Sequence, residues 1–228
     1  KFVRMEHRMN MEKEIKLIAF DLDGTLLTAS KEITSYTRRI LEEAAARGIE
    51  IVPATGRPIR GVPEDLYCFP GVRYAVTSNG ARLIEMATGR TVREDLLSYE
   101  KAKEVLAILQ EYDTMREVFY DGQGYIEKEK LPRVERYIHT KAVTDYITRT
   151  RVPVEDLEGM FERERRAVDK VQGIFADWGE REACYARLLK MSGIEVAGAL
   201  GNNVEVNGAG VHKGAALAVL GERLGIRP

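Results

Sequence analysis

The pentapeptide Asp21-Leu22-Asp23-Gly24-Thr25 follows directly on a short apolar run, Lys16 to Phe20. Along an extended chain, residues i and i+2 point the same way, so Asp21 and Asp23 face one cleft while Leu22 turns back towards the core. Gly24 then permits a sharp turn of the backbone. Two carboxylates on one face beyond a strand end can divide labour, one attacking as a nucleophile and the other moving protons to a leaving group and from water. Close like charges repel, so the pair calls for a cation, and hard carboxylate and carbonyl oxygens suit Mg²⁺. Taken alone, the same five residues also read as an ordinary Asp-Gly surface turn.

Two further groups weigh against the plain turn. Thr55-Gly56-Arg57 ends a second apolar stretch, and Val211-His212-Lys213-Gly214 opens a helix late in the chain. Phosphoryl transfer needs its spreading negative charge neutralised, for which a metal, a hydroxyl donor and a lysine are suitable parts. Thr55 and Lys213 supply the latter two. Arg57 has two equal readings, a phosphate contact or a brace for a helix end. His212 is expected to be structural because Asp23 already serves as acid and base, and His139 and His7 have less support still.

The elements that must position these residues alternate. Lys16 to Phe20 reads as a strand buried on both faces of a parallel sheet. A helix capped by Thr34 and stopped at Gly48 follows, then a strand from Ile49 whose regular pairing ends near Val52, ahead of Pro53. Arg57 to Leu66 reads as a turn and short helix interrupted by Pro63, and Tyr74 to Thr77 as a third strand ending at Ser78-Asn79-Gly80. This β-α-β-α-β order predicts a doubly wound, Rossmann-like α/β core, in which ligands bind beyond the carboxyl ends of the strands. Asp21, Thr55 and Asn79 sit at those ends.

The middle of the chain reads as an α+β module. Its helices are predicted at Ser98 to Tyr112, Arg133 to His139 and Glu180 to Lys190. Its strands are predicted at Glu117 to Tyr120, Tyr125 to Glu127, Lys170 to Phe175, Glu195 to Ala197 and Val204 to Val206. The core is expected over 15–82 and 193–228, with the inserted module over 83–192. Trp178 and the tyrosines at 120, 125, 137 and 146 have two readings, lining a ligand pocket in the module or filling its own core, and the second is expected.

The 228 residues carry 35 Lys plus Arg against 36 Asp plus Glu. That balance gives no broad electrostatic reason to bind nucleic acid or anionic membrane. No stretch approaches the roughly 18 consecutive apolar residues of a membrane span, and the charged leader from Lys1 to Lys16, with Met5, Met9 and Met11, lacks a signal peptide's apolar centre. Cys68 and Cys184 are far apart and outside any metal-ligand spacing, so two reduced, partly buried thiols and a cytoplasmic location are expected.

Together these segments resemble the haloacid-dehalogenase-like superfamily, and specifically its Cof-type phosphatases with a large inserted cap, from about Ile15 to the C-terminus. Phe20 to Thr25 resembles the first motif, which implies that Asp21 forms an aspartyl-phosphate and that Asp23 is the general acid and base. Ala54 to Arg57 resembles the second, implying that Thr55 hydrogen-bonds the phosphoryl oxygens. Ser78 to Ala81 looks like a further signature near the substrate, with Asn79 as the contact. Glu205 to Leu217 resembles the third, where Lys213 would steady nucleophile and phosphate.

The resemblance also implies a Mg²⁺ site using Asp21 and the backbone carbonyl of Asp23. Gly24, Gly56, Arg57 and Asn79 make up the implied substrate-binding set. The acidic GDxxND-like segment that completes this metal site in the family is expected after the helix beyond Lys213, so the chain is read as a fragment ending ahead of it. The implied activity is hydrolysis of a sugar phosphate or similar small metabolite by a monomer or small homo-oligomer. Transfer of the phosphoryl group to another hydroxyl, as in a mutase, and non-catalytic binding of a phosphorylated metabolite are the alternatives.

Overall fold

The computed structural model describes residues 14–198 and 201–227; the leader with Met5, His7, Met9 and Met11 lies outside them. Strand β1 (Leu17–Phe20) is followed by helix α1 (Ser35–Ala46), whose cap Thr34 accepts from the Thr37 N–H through its hydroxyl. Strand β2 (Glu50–Pro53) lies parallel to β1, with Phe20 opposite Pro53. Pairing therefore runs past Val52. Pro53 has no N–H to donate, but the next donor, Ala54 N–H, reaches the Phe20 carbonyl at 2.8 Å, so the ladder continues across it.

The expected short helix after Arg57 is instead two 3₁₀ turns, Ile59–Gly61 and Glu64–Leu66, with Pro63 heading the second. Strand β3 (Tyr74–Thr77) joins β2 through a parallel bridge between Ala54 and Val76. Strands β4 (Arg82–Glu85) and β5 (Arg90–Glu94) then extend the sheet antiparallel. β1 departs from the expectation of burial on both faces. Ala19 is exposed and its neighbours are only half-buried, because β2 alone pairs with the strand among the described residues.

From Ser98, which caps helix α2 (Tyr99–Leu109), the chain enters the second module. There β6 (Thr114–Tyr120) and β7 (Gln123–Glu127) form a hairpin. Helix α3 (Lys141–Thr150) leads into β8 (Arg151–Val154), and α4 (Leu157–Glu164) precedes β9 (Lys170–Phe175). Helix α5 (Trp178–Leu188) is followed by β10 (Ile194–Ala197) and β11 (Asn203–Gly208). The segment around Arg133 is a kinked 3₁₀ stretch, Lys128–Arg136, interrupted by Pro132.

Among the described residues, six of these strands form one sheet in the order β10-β11-β9-β6-β7-β8. The pairing moves both expected boundaries. Residues 83–94, expected in the inserted module, pair with the core sheet, and residues 194–208, expected in the core, pair with the cap sheet. The chain crosses between modules near Leu97 and again after Gly208.

Helix α6 (Lys213–Leu224) returns to the core. Ile51 packs with Leu41 on the α1 side of β2, whereas its neighbour Val52 packs with Ala216 and Leu220 on the α6 side. Alternation along one strand thus serves helices on both faces, as the doubly wound reading requires. In the cap sheet, Val118, Val171, Val204 and Val206 pack with α2 and α5 on one face. The alternating partners Glu117, Lys170, Gln172, Asn203, Glu205 and Asn207 form the other face, and they are buried too. Of the aromatic residues expected in the cap core, Tyr120 and Tyr137 are buried, but Trp178 is 59% exposed at the start of α5. No helix among the described residues is long and apolar enough to cross a membrane.

Candidate active site

A cavity of about 100 Å³ lies where the two sheets meet. Its core side is made by Asp21, Asp23, Thr55, Gly56, Asn79 and Lys213, and its cap side includes Tyr146, Arg151, Lys170, Gln172 and Glu205. Most of the sequence-derived site residues therefore converge. Gly24 is the exception: it makes the turn, at φ 75°, without bordering the cavity.

Asp21 ends β1 with its carboxylate half-exposed. Its Oδ1 accepts from the Leu22 N–H at 2.8 Å and lies 3.0 Å from Lys213 Nζ. Oδ2 has no partner among the described residues, so the carboxylate is oriented through its other oxygen by one backbone N–H and one ammonium. Lys213 is delivered by the first turn of α6, whose start is fixed by His212: the imidazole Nδ1 accepts from Ala215 N–H at 3.1 Å. His212 thus has the structural role the sequence suggested. Thr55, 1% exposed, accepts from the Arg57 N–H at 3.1 Å and keeps its own hydroxyl proton to donate.

Arg57 does not reach towards Asp21. Its guanidinium grips Asp23 in a fork, Nε to Oδ2 and Nη2 to Oδ1, both at 2.7 Å, while Nη1 donates to the Gly61 carbonyl at 2.8 Å. Its Cζ sits 4.4 Å from the Tyr146 ring centre. Lys31 adds a third donor to Asp23 at 2.7 Å. Burial by itself would raise the Asp23 carboxyl, but hydrogen bonds and charge from Arg57 and Lys31 outweigh it and bring it down to about 2. In this arrangement Asp23 is a carboxylate whose two oxygens are both occupied by donors.

Asn79, at φ 64°, lies at the seam rather than over Asp21. Its amide donates to Glu205 Oε2 at 2.6 Å and to Asn207 Oδ1 at 3.0 Å, tying core to cap. Lys170 completes the tie, donating to the same Glu205 oxygen at 2.7 Å and to the Gly56 carbonyl at 3.0 Å. Burial pushes the Glu205 carboxyl up, yet Lys170 and Asn79 overcome it and leave it below the usual carboxylate range. Gly56 is required by this closeness, since a Cβ there would stand 2.7 Å from Asn79 Oδ1. A second tie lies farther out, where buried Arg82 on β4 donates to Asp169 beside β9 at 2.7 Å and to Asp121 at 3.0 Å.

The oxygen atoms available to a cation are those of the Asp21 carboxylate and the Asp23 backbone carbonyl, which accepts no hydrogen bond among the described residues. Both are hard donors of the kind Mg²⁺ takes, and Mg²⁺ commonly keeps several waters. Among the described residues, no group of three or more acidic, His or Cys side chains gathers to hold a metal.

Residues 18–228 match the haloacid dehalogenase-like hydrolases, and the chain belongs to that family. It is 26% identical over 220 residues to the 5-amino-6-(5-phospho-D-ribitylamino)uracil phosphatase YcsE of Bacillus subtilis, a match covering 95% of this chain and 76% of that one. It is 26% identical over 216 residues to the HMP-PP phosphatase of Escherichia coli, covering 92% and 74%. A Streptococcus pyogenes relative is 39% identical over 89 residues, covering 38% of this chain and 33% of the relative. Another from B. subtilis, YxeH, is matched over 42% of its length, so the chain spans less than half of these two curated relatives. A haloacid dehalogenase-like hydrolase structure from B. subtilis superposes with a TM-score of 0.81 at 23% identity, over 93% of this chain and 80% of that one. At that identity the likeness is one of fold.

Tyr146, one of the tyrosines weighed as pocket-lining, borders the cavity, as do Lys31, Arg151, Lys170, Gln172 and Glu205, which the sequence does not single out. A signal existed for three of them. Lys170-Val171-Gln172 and Val204-Glu205-Val206 alternate polar with apolar, which marks a polar face without saying what covers it.

Proposed function

We propose that the protein is a Mg²⁺-dependent phosphatase of small phosphate monoesters, with Asp21 as the nucleophile. The observation that carries this reading is the free Asp21 Oδ2, steadied from its other oxygen by Lys213 and placed in one cavity with Thr55 and Asp23. In this reading Asp21 Oδ2 attacks phosphorus in line with the ester oxygen and forms an aspartyl-phosphate. The Thr55 hydroxyl and Lys213 ammonium meet the phosphoryl oxygens, where charge spreads in the transition state. Bound Mg²⁺ would supply further neutralisation of that charge beside Asp21 and the Asp23 carbonyl.

Asp23 then draws a proton from the water that cleaves the aspartyl-phosphate, and because Arg57 and Lys31 hold its carboxyl low and make it a weak base, those contacts must loosen for it to do so. To protonate the leaving oxygen in the first step it must come off the Arg57 fork and first take up a proton from solvent, since within the fork it is a carboxylate with none to give. The relatives named as phosphatases of a phosphoribitylaminouracil and of HMP-PP support a small phosphorylated metabolite as substrate.

The test is phosphate release from phenyl phosphate by the full-length protein, with Mg²⁺ or with chelator, beside Asp21→Asn. Turnover should require Mg²⁺ and fall at least about 10³-fold in the variant. A well-folded parent without turnover, or a variant as fast as the parent, would remove the reading.

A further inference from the structure

Opposite Asp21, the cap side of the cavity presents hydrogen-bond donors with nothing to donate to. Gln172 is 2% exposed, and its Oε1 accepts from Lys170 Nζ at 3.2 Å. Because an ammonium only donates, that contact fixes the orientation of the amide, and Nε2 is left facing the cavity without an acceptor. Arg151 is 8% exposed and similarly incomplete. Its Nε donates to Glu117 at 2.7 Å and its Nη1 to the Thr150 hydroxyl at 2.9 Å and the Tyr146 hydroxyl at 3.5 Å, while Nη2 has no partner among the described residues.

Neither nitrogen is among the buried side-chain atoms that are sealed off without a partner, so each still meets open space, and both residues border the cavity. The placement of Arg151 is built in. Gly124 leaves the slot in which its side chain lies, since a Cβ there would stand 2.5 Å from Arg151 Cδ. Phe119 and Tyr146 flank the guanidinium at 4.9 and 5.1 Å.

We propose that Arg151 and Gln172 form a distal subsite for an uncharged oxygen acceptor, a hydroxyl or carbonyl oxygen, on the leaving group of the phosphate ester. Buried donors left unpaired are costly, which favours a ligand that supplies acceptors. Charge decides between a neutral group and a second anion. Arg151 is paired with Glu117, which is fully buried, and Lys170 with Glu205, so the cap side has no uncompensated cation for another phosphate or a carboxylate. Val143 and Ile147 add an apolar wall beside the subsite. The substrate class is thus a phosphomonoester of a neutral, oxygen-bearing small molecule, a reading that rests on the phosphatase function proposed above.

The test compares kcat/KM of the full-length protein on three kinds of ester: phenyl phosphate, which has no distal acceptor; neutral aldose phosphates; and fructose 1,6-bisphosphate with 3-phosphoglycerate. Phenyl phosphate turnover reports the phosphatase reading by itself, and the ratios between esters report the subsite. The parent should favour a neutral sugar phosphate over the doubly anionic esters by tenfold or more. Gln172→Glu keeps an acceptor for Lys170 but replaces the free donor. Arg151→Lys keeps a cation for Glu117 but withdraws the second arm of the fork. Each should lower kcat/KM on the preferred sugar phosphate about tenfold, mainly through KM, and leave phenyl phosphate within about twofold. A parent that prefers the doubly anionic esters would overturn the subsite. So would equal losses on both substrates, or no loss, in variants whose thermal melting matches the parent.

Discussion

The two walls of the cavity are built by different means. The core wall places Asp21, Thr55 and Lys213 at the ends of consecutive elements, each held by local contacts: a neighbouring N–H, a turn, a helix cap. The cap wall assembles Arg151, Lys170, Gln172 and Glu205 from three strands, held by two buried ion pairs, Lys170 with Glu205 and Arg151 with Glu117 on β6. Half-exposed Asp21 can be altered with little cost to folding, whereas a buried cap charge cannot lose its partner cheaply. Chemistry and stability are therefore separable on one wall and fused on the other.

The largest effects should expose that difference. Asp21→Asn should remove turnover with the melting temperature nearly unchanged. Lys170→Met should instead cost about 3–5 kcal/mol of stability in denaturant titration, because Glu205 is left buried and unpaired. The double variant Lys170→Met/Glu205→Leu should recover much of that loss, and failure to recover would mean that the pair is not the unit described here.

A smaller effect is expected at the seam. Gly56→Ala should destabilise by about 1–3 kcal/mol as the new methyl meets Asn79 Oδ1, and the loss should shrink in an Asn79→Ala background. Additive losses would show that the two residues do not press on each other.

The subtlest test is pH. The folded Glu205 carboxyl lies below its ordinary value of 4.5, so its contribution is fully present above that value and is lost as pH falls through the lowered one. Chemical denaturation at a series of acid pH values should show a steeper loss for the parent than for Glu205→Gln. Parallel curves would mean that Glu205 contributes nothing pH-dependent to the union of core and cap.

How much of this was legible in the chain follows the same division. DLDGT after an apolar run, Thr55 at the next strand end and Lys213 at a helix start could be read because each motif carries its own local geometry. So could the cap of α1 at Thr34 and the bounds of β3 and β9. Arg57 was legible as a candidate but not in its role, because its partner Asp23 lies 34 positions away and the fork between them is a tertiary contact. β4 and β5 were missed because Arg82 and Glu94 interrupt an apolar pattern, and their charges become tolerable only through partners such as Asp169.

The sequence by itself determined the core elements, the alternation of faces along each strand and the types of residue that can attack, donate and neutralise, since all of these depend on neighbours within a few positions. It also determined that β9 and β11 each have a polar face. Only the tertiary structure decided that those faces look into the cavity and not into water. That choice depends on the strand order β10-β11-β9-β6 and on the packing of one sheet against the other, contacts between residues far apart in the chain whose energies no local pattern encodes.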